Sequence, residues 1–287
     1  MTYRELYDYG VSALKEADIA EAELDARLLL EYICRTDRNT LLVHGDSVRS
    51  PIEEEFYKIT ITKRRQHIPL QHITGEQEFM GLVFKVNEHT LIPRQDTEIL
   101  VEEAMRYLGD GMRILDVCTG SGCILVSLLQ YSNECEGIGI DISESALLVA
   151  KENAKRLGLE AAFLCGDLFE PLEGFVSNKT RDKLFDIIIS NPPYIPSNMI
   201  SQLMPEVRDF EPRVALDGME DGLYFYRKIA GNAPLYLRRS GMLFLETGCD
   251  QAEAVSIILR EKGFGKIEVI KDYAGLDRVI KAELGGF

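Results

Sequence analysis

Two hydrophobic periods divide this chain. Up to about Ile68 apolar residues recur at helical spacing, as in Leu6, Tyr9, Ala13 and Ala17, then Leu24, Leu28 and Tyr32. Ser50-Pro51-Ile52-Glu53 combines an N-cap, a Pro at the first helical position and a capping-box Glu. Ile52, Phe56 and Ile59 then share one face of the helix this predicts. Three or more such helices predict a small bundle over residues 1–68. Residues 69–93 change character: Gly75 and Gly81 punctuate them, and Leu82-Val83-Phe84-Lys85-Val86 reads as a strand, which predicts a β-hairpin connector. A helix is expected near Asp96, with Ile99, Leu100 and Ala104 on one face.

Beyond Gly111 strand and helix patterns alternate. The strand candidates are Arg113–Val117, Gly137–Ile140, Ala162–Cys165, Asp186–Ser190, Met242–Glu246, Lys266–Lys271 and Arg278–Ala282. Helical stretches such as Ser143–Leu157 and Gln251–Glu261 lie between them. This alternation predicts an α/β domain over 94–287 with a doubly wound, mostly parallel, seven-stranded sheet. The last two strands are separated only by residues 272–277, so an antiparallel pair is expected at one edge.

Composition narrows the function classes. The chain has 287 residues, 46% of them hydrophobic, which is ample for a core. No apolar stretch approaches the roughly 20 residues of a membrane span. The first residues carry acids and no apolar core, which argues against a signal peptide. The net charge of −15 is the wrong sign for a duplex nucleic-acid binder and suits a cationic ligand or a basic partner. The six Cys form no CxxC pair and the four His show no ligand spacing, so no metal is expected and a reducing, cytoplasmic setting is.

The chemistry concentrates at strand carboxyl ends, where open α/β sheets bind ligands. The first strand runs into Asp116-Val117-Cys118-Thr119-Gly120-Ser121-Gly122, a turn that brings backbone N–H groups close to a ligand. It is neither G-x-G-x-x-G nor a P-loop. Cys118 carries a side chain with ordinary φ/ψ preferences, so the turn is expected to need no positive φ there. The second strand ends in Asp141, placed to accept from ribose hydroxyls, and the third in Gly166-Asp167-Leu168, placed to accept from an adenine amino group. The fourth ends in Asn191-Pro192-Pro193-Tyr194. Asn191 offers an amide oxygen, the two Pro offer carbonyls without N–H groups, and Tyr194 offers a flat ring. That set suits a planar –NH₂ group. Successive polar groups after a Gly-rich turn describe a nucleoside ligand without phosphate, and S-adenosyl-L-methionine fits, with S-adenosyl-L-homocysteine as its product.

Nearly the whole chain resembles the class I, Rossmann-like methyltransferases, and more narrowly the PrmC/HemK family of release factor N5-glutamine methyltransferases. The resemblance rests on residues 69–75 (PLQHITG), 91–98 (LIPRQDTE), 116–122, Asn191–Tyr194, 210–216 (FEPRVAL) and Asp272–Arg278. Gln95 stands where the family often has Pro. The family implies transfer of methyl to the side-chain nitrogen of the Gln in a Gly-Gly-Gln motif of peptide chain release factors. Asn191, Pro192 and Tyr194 are then the catalytic candidates, with Pro193 beside them. Cys118–Gly122, Asp141, Asp167, Leu168 and Asn191 are the cofactor candidates. Phe79 either covers the adenosine or sits in the core. Arg94 either reaches the cofactor carboxylate, bridges to the connector or makes a surface salt bridge. Glu211 and Arg213 read as structural and Glu246 as a loop anchor. The rivals are an adenine-N6 or other exocyclic-amine nucleic-acid methyltransferase, since Asn-Pro-Pro-Tyr serves both, and a non-catalytic cofactor-binding scaffold.

Overall fold

The computed structural model describes residues 1–173 and 184–285. It divides into two compact units: Met1–Glu76 with Met204–Phe210, and Gln77–Leu203 with Glu211–Phe287.

The first unit holds α1 (Tyr3–Lys15), α2 (Ala22–Cys34), α3 (Arg38–Val43), α4 (Pro51–Arg65) and α5 (Leu70–Thr74). The Thr2 and Ser50 caps close on Glu5 and Glu53, so each first turn has its free N–H groups partly satisfied. Residues 70–74, read as the start of the connector, form α5 instead, ended by Gly75 at φ 77°. On α1 the expected Leu6 and Ala13 are buried, but on α2 and α4 the faces differ from the expected ones. On α2 the core takes Ala22, Ala26, Leu29 and Leu30, while Leu24 and Tyr32 are exposed, as is Tyr9 on α1. On α4 it takes Tyr57, Thr60, Ile61 and Arg64, while Ile52, Phe56 and Ile59 point to solvent. Polar partners explain the rotation. The Arg64 Nε donates to Asp25 at 2.7 Å and the Tyr57 hydroxyl donates to the Ala26 carbonyl at 3.1 Å. A buried charge keeps its place only when paired, so this ion pair dictates which stripe turns inward. The segment Met204–Phe210 carries α9 (Pro205–Phe210), whose Glu206 accepts from Arg64 at 3.0 Å and meets the His67 ring at 3.1 Å.

The second unit opens on a hairpin, β1 (Glu76–Phe79) and β2 (Leu82–Lys85), one residue shorter than the expected strand. Its two-residue turn has Met80 at φ 52° and Gly81 at φ 72°, the hand that matches strand twist. After α6 (Gln95–Met105) come β3 (Arg113–Val117), α7 (Cys123–Gln130), β4 (Glu136–Asp141), α8 (Glu144–Arg156), β5 (Ala162–Cys165) and β6 (Phe185–Ser190). Then follow α10 (Tyr224–Tyr236), β7 (Leu237–Glu246), α11 (Ala252–Glu261), β8 (Phe264–Lys271) and β9 (Asp277–Leu284). The seven strands lie in the order β5-β4-β3-β6-β7-β9-β8. All pairs are parallel except those made by β9. The terminal hairpin is therefore inserted the other way round: β9 pairs with β7, and β8 forms the edge. Burial accounts for this, because Val279, Ile280 and Ala282 of β9 are apolar and wholly buried while most of β8 is not. Two apolar layers cover the sheet's faces, one containing Leu115, Ile188 and Leu245, the other Ile114, Ile187 and Phe244. These alternate residues point to opposite faces, as the pleat requires. No helix among the described residues is long and apolar enough to cross a membrane.

Candidate active site

A cavity of about 250 Å³ opens at the carboxyl ends of β3, β4, β5 and β6. Parallel strands end there together because their registers run level: Val117 pairs with Ile140 and with Ser190, and Asp141 with Cys165. Cys118, Thr119, Gly120, Ser121, Asp141, Asp167, Leu168, Asn191, Pro193 and Arg94 line it. Gly122, Pro192 and Tyr194 adjoin this wall without forming part of it. Phe79 is elsewhere. It is 1% exposed in the apolar layer, edge-on to Phe84 at 6.0 Å, and covers no part of the cavity.

The Gly-rich turn is tighter than its sequence implies. Cys118 adopts φ 63°, the left-handed region, contrary to the expectation drawn from its side chain. A non-Gly residue pays on the order of 1 kcal/mol for this, and the surrounding turn holds it there. Thr119 N–H donates to the Ile140 carbonyl at 2.9 Å, and the Thr119 hydroxyl donates to Asp116 at 2.5 Å. Gly120 follows at φ 55° with no described atom within 4 Å of where a Cβ would stand, so the backbone here is an open cradle. Its N–H donates to the Asp141 Oδ2 at 2.9 Å, and the Ser143 N–H donates to the Oδ1 at 2.9 Å. Two backbone amides thus aim the Asp141 carboxylate. Burial raises its pKa, and these amides oppose the rise. Asp116, wholly buried beneath the turn, is pushed up to about 7 by the same cause.

The Asn191 end is held by side chains. The Asn191 Nδ2 donates to the Thr97 hydroxyl at 3.3 Å, and the amide oxygen has no hydrogen-bond partner among the described residues. The Tyr194 hydroxyl donates to Glu246 at 3.5 Å, and the Gln251 amide donates to the Tyr194 carbonyl at 2.9 Å. Gly222 is needed against that carbonyl: it sits at φ 73°, and a Cβ would lie 2.4 Å from the Tyr194 oxygen. Glu246, last residue of β7, is 2% exposed and burial raises its carboxyl to about 7, opposed by the Thr97 hydroxyl and Arg278. Arg94 pairs through one Nη with both oxygens of buried Glu211, at 2.8 and 2.7 Å, so it ties the loop after the tetrad to the start of α6. Arg213 instead pairs with Asp217 on the surface. Thr97, Ile142, Ser143, Met219, Tyr224 and Phe225 also line the cavity. Sequence reasoning passed over them, although Thr97 lies in the quoted segment 91–98 and Ser143 was seen only as a helix start.

The donor set suits a nucleoside carrying an amino-acid tail. Carboxylates stand at β4 and β5, backbone amides at the Gly turn, and apolar walls at Ile124, Ile140 and Leu168. Two family models match the chain: a PrmC N-terminal domain over residues 5–75 and a methyltransferase domain over residues 108–220. A Pyrococcus furiosus methyltransferase shares the fold at 17% identity with a TM-score of 0.51, over 73% of this chain and 91% of that one. Fold, cavity and matches together define a class I S-adenosylmethionine-dependent methyltransferase. Among curated relatives, the release factor glutamine methyltransferase of Geobacter sulfurreducens is 40% identical over 99% of this chain and 97% of its own. That of Clostridium acetobutylicum is 41% identical over 96% of each. The chain belongs to the release factor glutamine methyltransferase family.

Proposed function

We propose that Asn191 and the Pro192 carbonyl receive the side-chain amide of the glutamine in a Gly-Gly-Gln motif of a peptide chain release factor, and that its N5 takes the methyl group. Cys118–Gly122, Asp141 and Asp167–Leu168 would hold S-adenosylmethionine, which would supply an electrophilic methyl on sulfur. An amide nitrogen is a poor nucleophile because its lone pair is delocalised into the carbonyl. Two acceptors that take both its N–H bonds aim that lone pair at the methyl carbon. As the amide nitrogen takes the methyl group, it becomes positive. The same hydrogen bonds then strengthen, which stabilises the transition state more than the bound amide. The surplus proton leaves to water. Alignment alone can supply several of the roughly 7–11 kcal/mol available from orientation. The observation that carries this reading is the Asn191 amide, whose nitrogen is engaged by Thr97 and whose oxygen has no partner among the described residues. Mass spectrometry of a purified release factor after incubation with the protein and labelled cofactor tests it: one added methyl on the motif's glutamine is expected.

The first unit, in this reading, docks the protein substrate. Its support is the apolar face of α4, where Ile52, Phe56 and Ile59 are exposed at 66%, 55% and 44%. Exposed apolar groups collected on one helix face mark interaction surfaces. Removing residues 1–68 should leave cofactor affinity intact and impair methylation of the intact factor; equal activity of the truncated enzyme on that factor refutes the docking role. The net charge of −15 disfavours the nucleic-acid amine alternative. A cytoplasmic location follows from a substrate that works in translation.

A further inference from the structure

Gln251 stands at the N-cap of α11, yet its side chain reaches away from that helix to two loops. Its Nε2 donates to the Tyr194 carbonyl at 2.9 Å and to the Gly222 carbonyl at 3.4 Å. Its Oε1 accepts from the Gly248 N–H at 3.1 Å, and the Tyr226 hydroxyl, which donates to the Glu246 carbonyl at 3.0 Å, stands 3.4 Å from it. Both amide hydrogens thus meet carbonyls and the oxygen meets a donor. Turning the amide over would set its oxygen against two carbonyls, so the surroundings fix one orientation.

The two bridged loops form the tetrad end of the cavity. Pro193 lines it from one, and Val214, Ala215 and Met219 from the other. The loops run side by side. The Ile195 N–H donates to the Leu216 carbonyl at 3.0 Å, the Gly218 N–H to the Ile195 carbonyl at 2.8 Å and the Ser197 N–H to the Met219 carbonyl at 2.9 Å. Their contact is too close for a side chain: a Cβ at Gly218 would lie 2.7 Å from the Tyr194 Cα, and one at Gly222 would lie 2.6 Å from the Gln251 Nε2. These bonds fix the loops to each other. Gln251 fixes the pair to α11, which is itself anchored in the core by Ala252, Val255 and Leu259.

We propose that Gln251 is a positioning residue for methyl transfer, a clamp that sets where the Asn191 oxygen and the Pro192 carbonyl stand. It touches no reacting atom. Tyr194 follows Pro192 by two residues, and the rings of Pro192 and Pro193 fix both intervening φ angles. A shift of the Tyr194 carbonyl therefore passes back along the tetrad with little slack to absorb it. The inference rests on the reading of Asn191 and Pro192 as the acceptors.

Two variants of the full chain test the clamp. Gln251→Met fills nearly the same space without the hydrogen bonds, and Gln251→Glu sets an oxygen against the two carbonyls. Each should lower the single-turnover rate of methyl transfer to a purified release factor, at saturating cofactor, by about 10- to 100-fold, the cost of misplacing reacting groups by up to an ångström. The amplitude of the turnover should stay that of wild type, and cofactor affinity should stay within about twofold, so the loss is one of rate and not of folded protein. Hydrogen exchange supplies a readout that needs no substrate. In Gln251→Met, residues 194–197 and 216–223 should exchange about tenfold faster, with β3 and β4 unchanged. A wild-type rate in Gln251→Met overturns the positioning role and marks Gln251 as packing alone. A loss of cofactor affinity as large as the loss of rate overturns it too. Should Gln251→Glu fail to fold, Gln251→Met carries the test. If the wild-type protein methylates no release factor, the substrate reading fails, and exchange then decides on the clamp: unchanged exchange in Gln251→Met overturns it.

Discussion

The two ends of the cavity are built by different means. At the Gly-turn end the backbone does the positioning: the Gly120 and Ser143 amides aim Asp141, and the turn closes on the Ile140 carbonyl. At the tetrad end side chains do it, through Thr97, Glu246 and Gln251, which come from three separate elements. A backbone-built site is written in one short stretch of sequence and tolerates change around it. A site built by side chains from distant elements depends on each of them, and fails in rate before it fails in binding.

That contrast is open to attack from either end. The largest expected effect is at the tetrad: Asn191→Ala should lower kcat by roughly 10²–10³, as for loss of one preorganised hydrogen bond, with cofactor affinity nearly unchanged by calorimetry. Tyr194→Ala should lower kcat by about 10², since misplacing the reacting groups by an ångström costs that much. Tyr194→Phe should cost less than about tenfold, because the hydroxyl it removes makes a long 3.5 Å contact with Glu246. At the Gly-turn end the pattern should reverse. Asp141→Ala should weaken cofactor binding by about 1–3 kcal/mol, the cost of leaving polar partners unpaired, while the single-turnover rate at saturation changes little. Unchanged affinity on titration removes Asp141 from the site.

The smallest effect is on stability. Burial raises the Glu246 carboxyl to about 7 from an ordinary 4.5, so the folded protein holds this proton more tightly than the unfolded chain does. Its contribution is fully present below the ordinary value and is lost as pH rises through about 7. Glu246→Gln removes that dependence. Its melting temperature relative to wild type should therefore rise by a few degrees between about pH 5 and pH 8. Buried Asp116 titrates with the same sign in both proteins and cancels from the difference. A constant gap across that range contradicts the assignment.

What could be read from the sequence follows the same division. The Gly turn, Asp141 and Asp167 were legible because strand, turn and acid are contiguous, and their shared cavity follows from parallel register. Thr97 and Glu246 were not, because their contacts with Asn191 and Tyr194 exist only once α6, β6 and β7 are packed. Cys118 was misjudged since a left-handed residue announces itself in sequence mainly when it is Gly. Phe79 was ambiguous for another reason: an aromatic on a hairpin fills a core or covers a ligand equally well, and Phe84 on the partner strand decides for the core. In α2 and α4 the period was right and the phase was wrong, while on α1 the expected Leu6 and Ala13 are buried. Helical spacing gives a stripe for any apolar set, but the buried Arg64–Asp25 pair, invisible to an apolar pattern, chose the other stripe.

The central claim is that the Asn191 oxygen holds the substrate nitrogen. The most direct test compares Asn191→Asp with Asn191→Ala in single-turnover methyl transfer to a release factor, at saturating cofactor and with folding verified. Asp keeps an oxygen acceptor of nearly the same size and loses the amino group; Ala loses both. The account predicts that Asp transfers methyl measurably faster than Ala, and that Ala falls far below wild type. A wild-type rate in the Ala variant would contradict it.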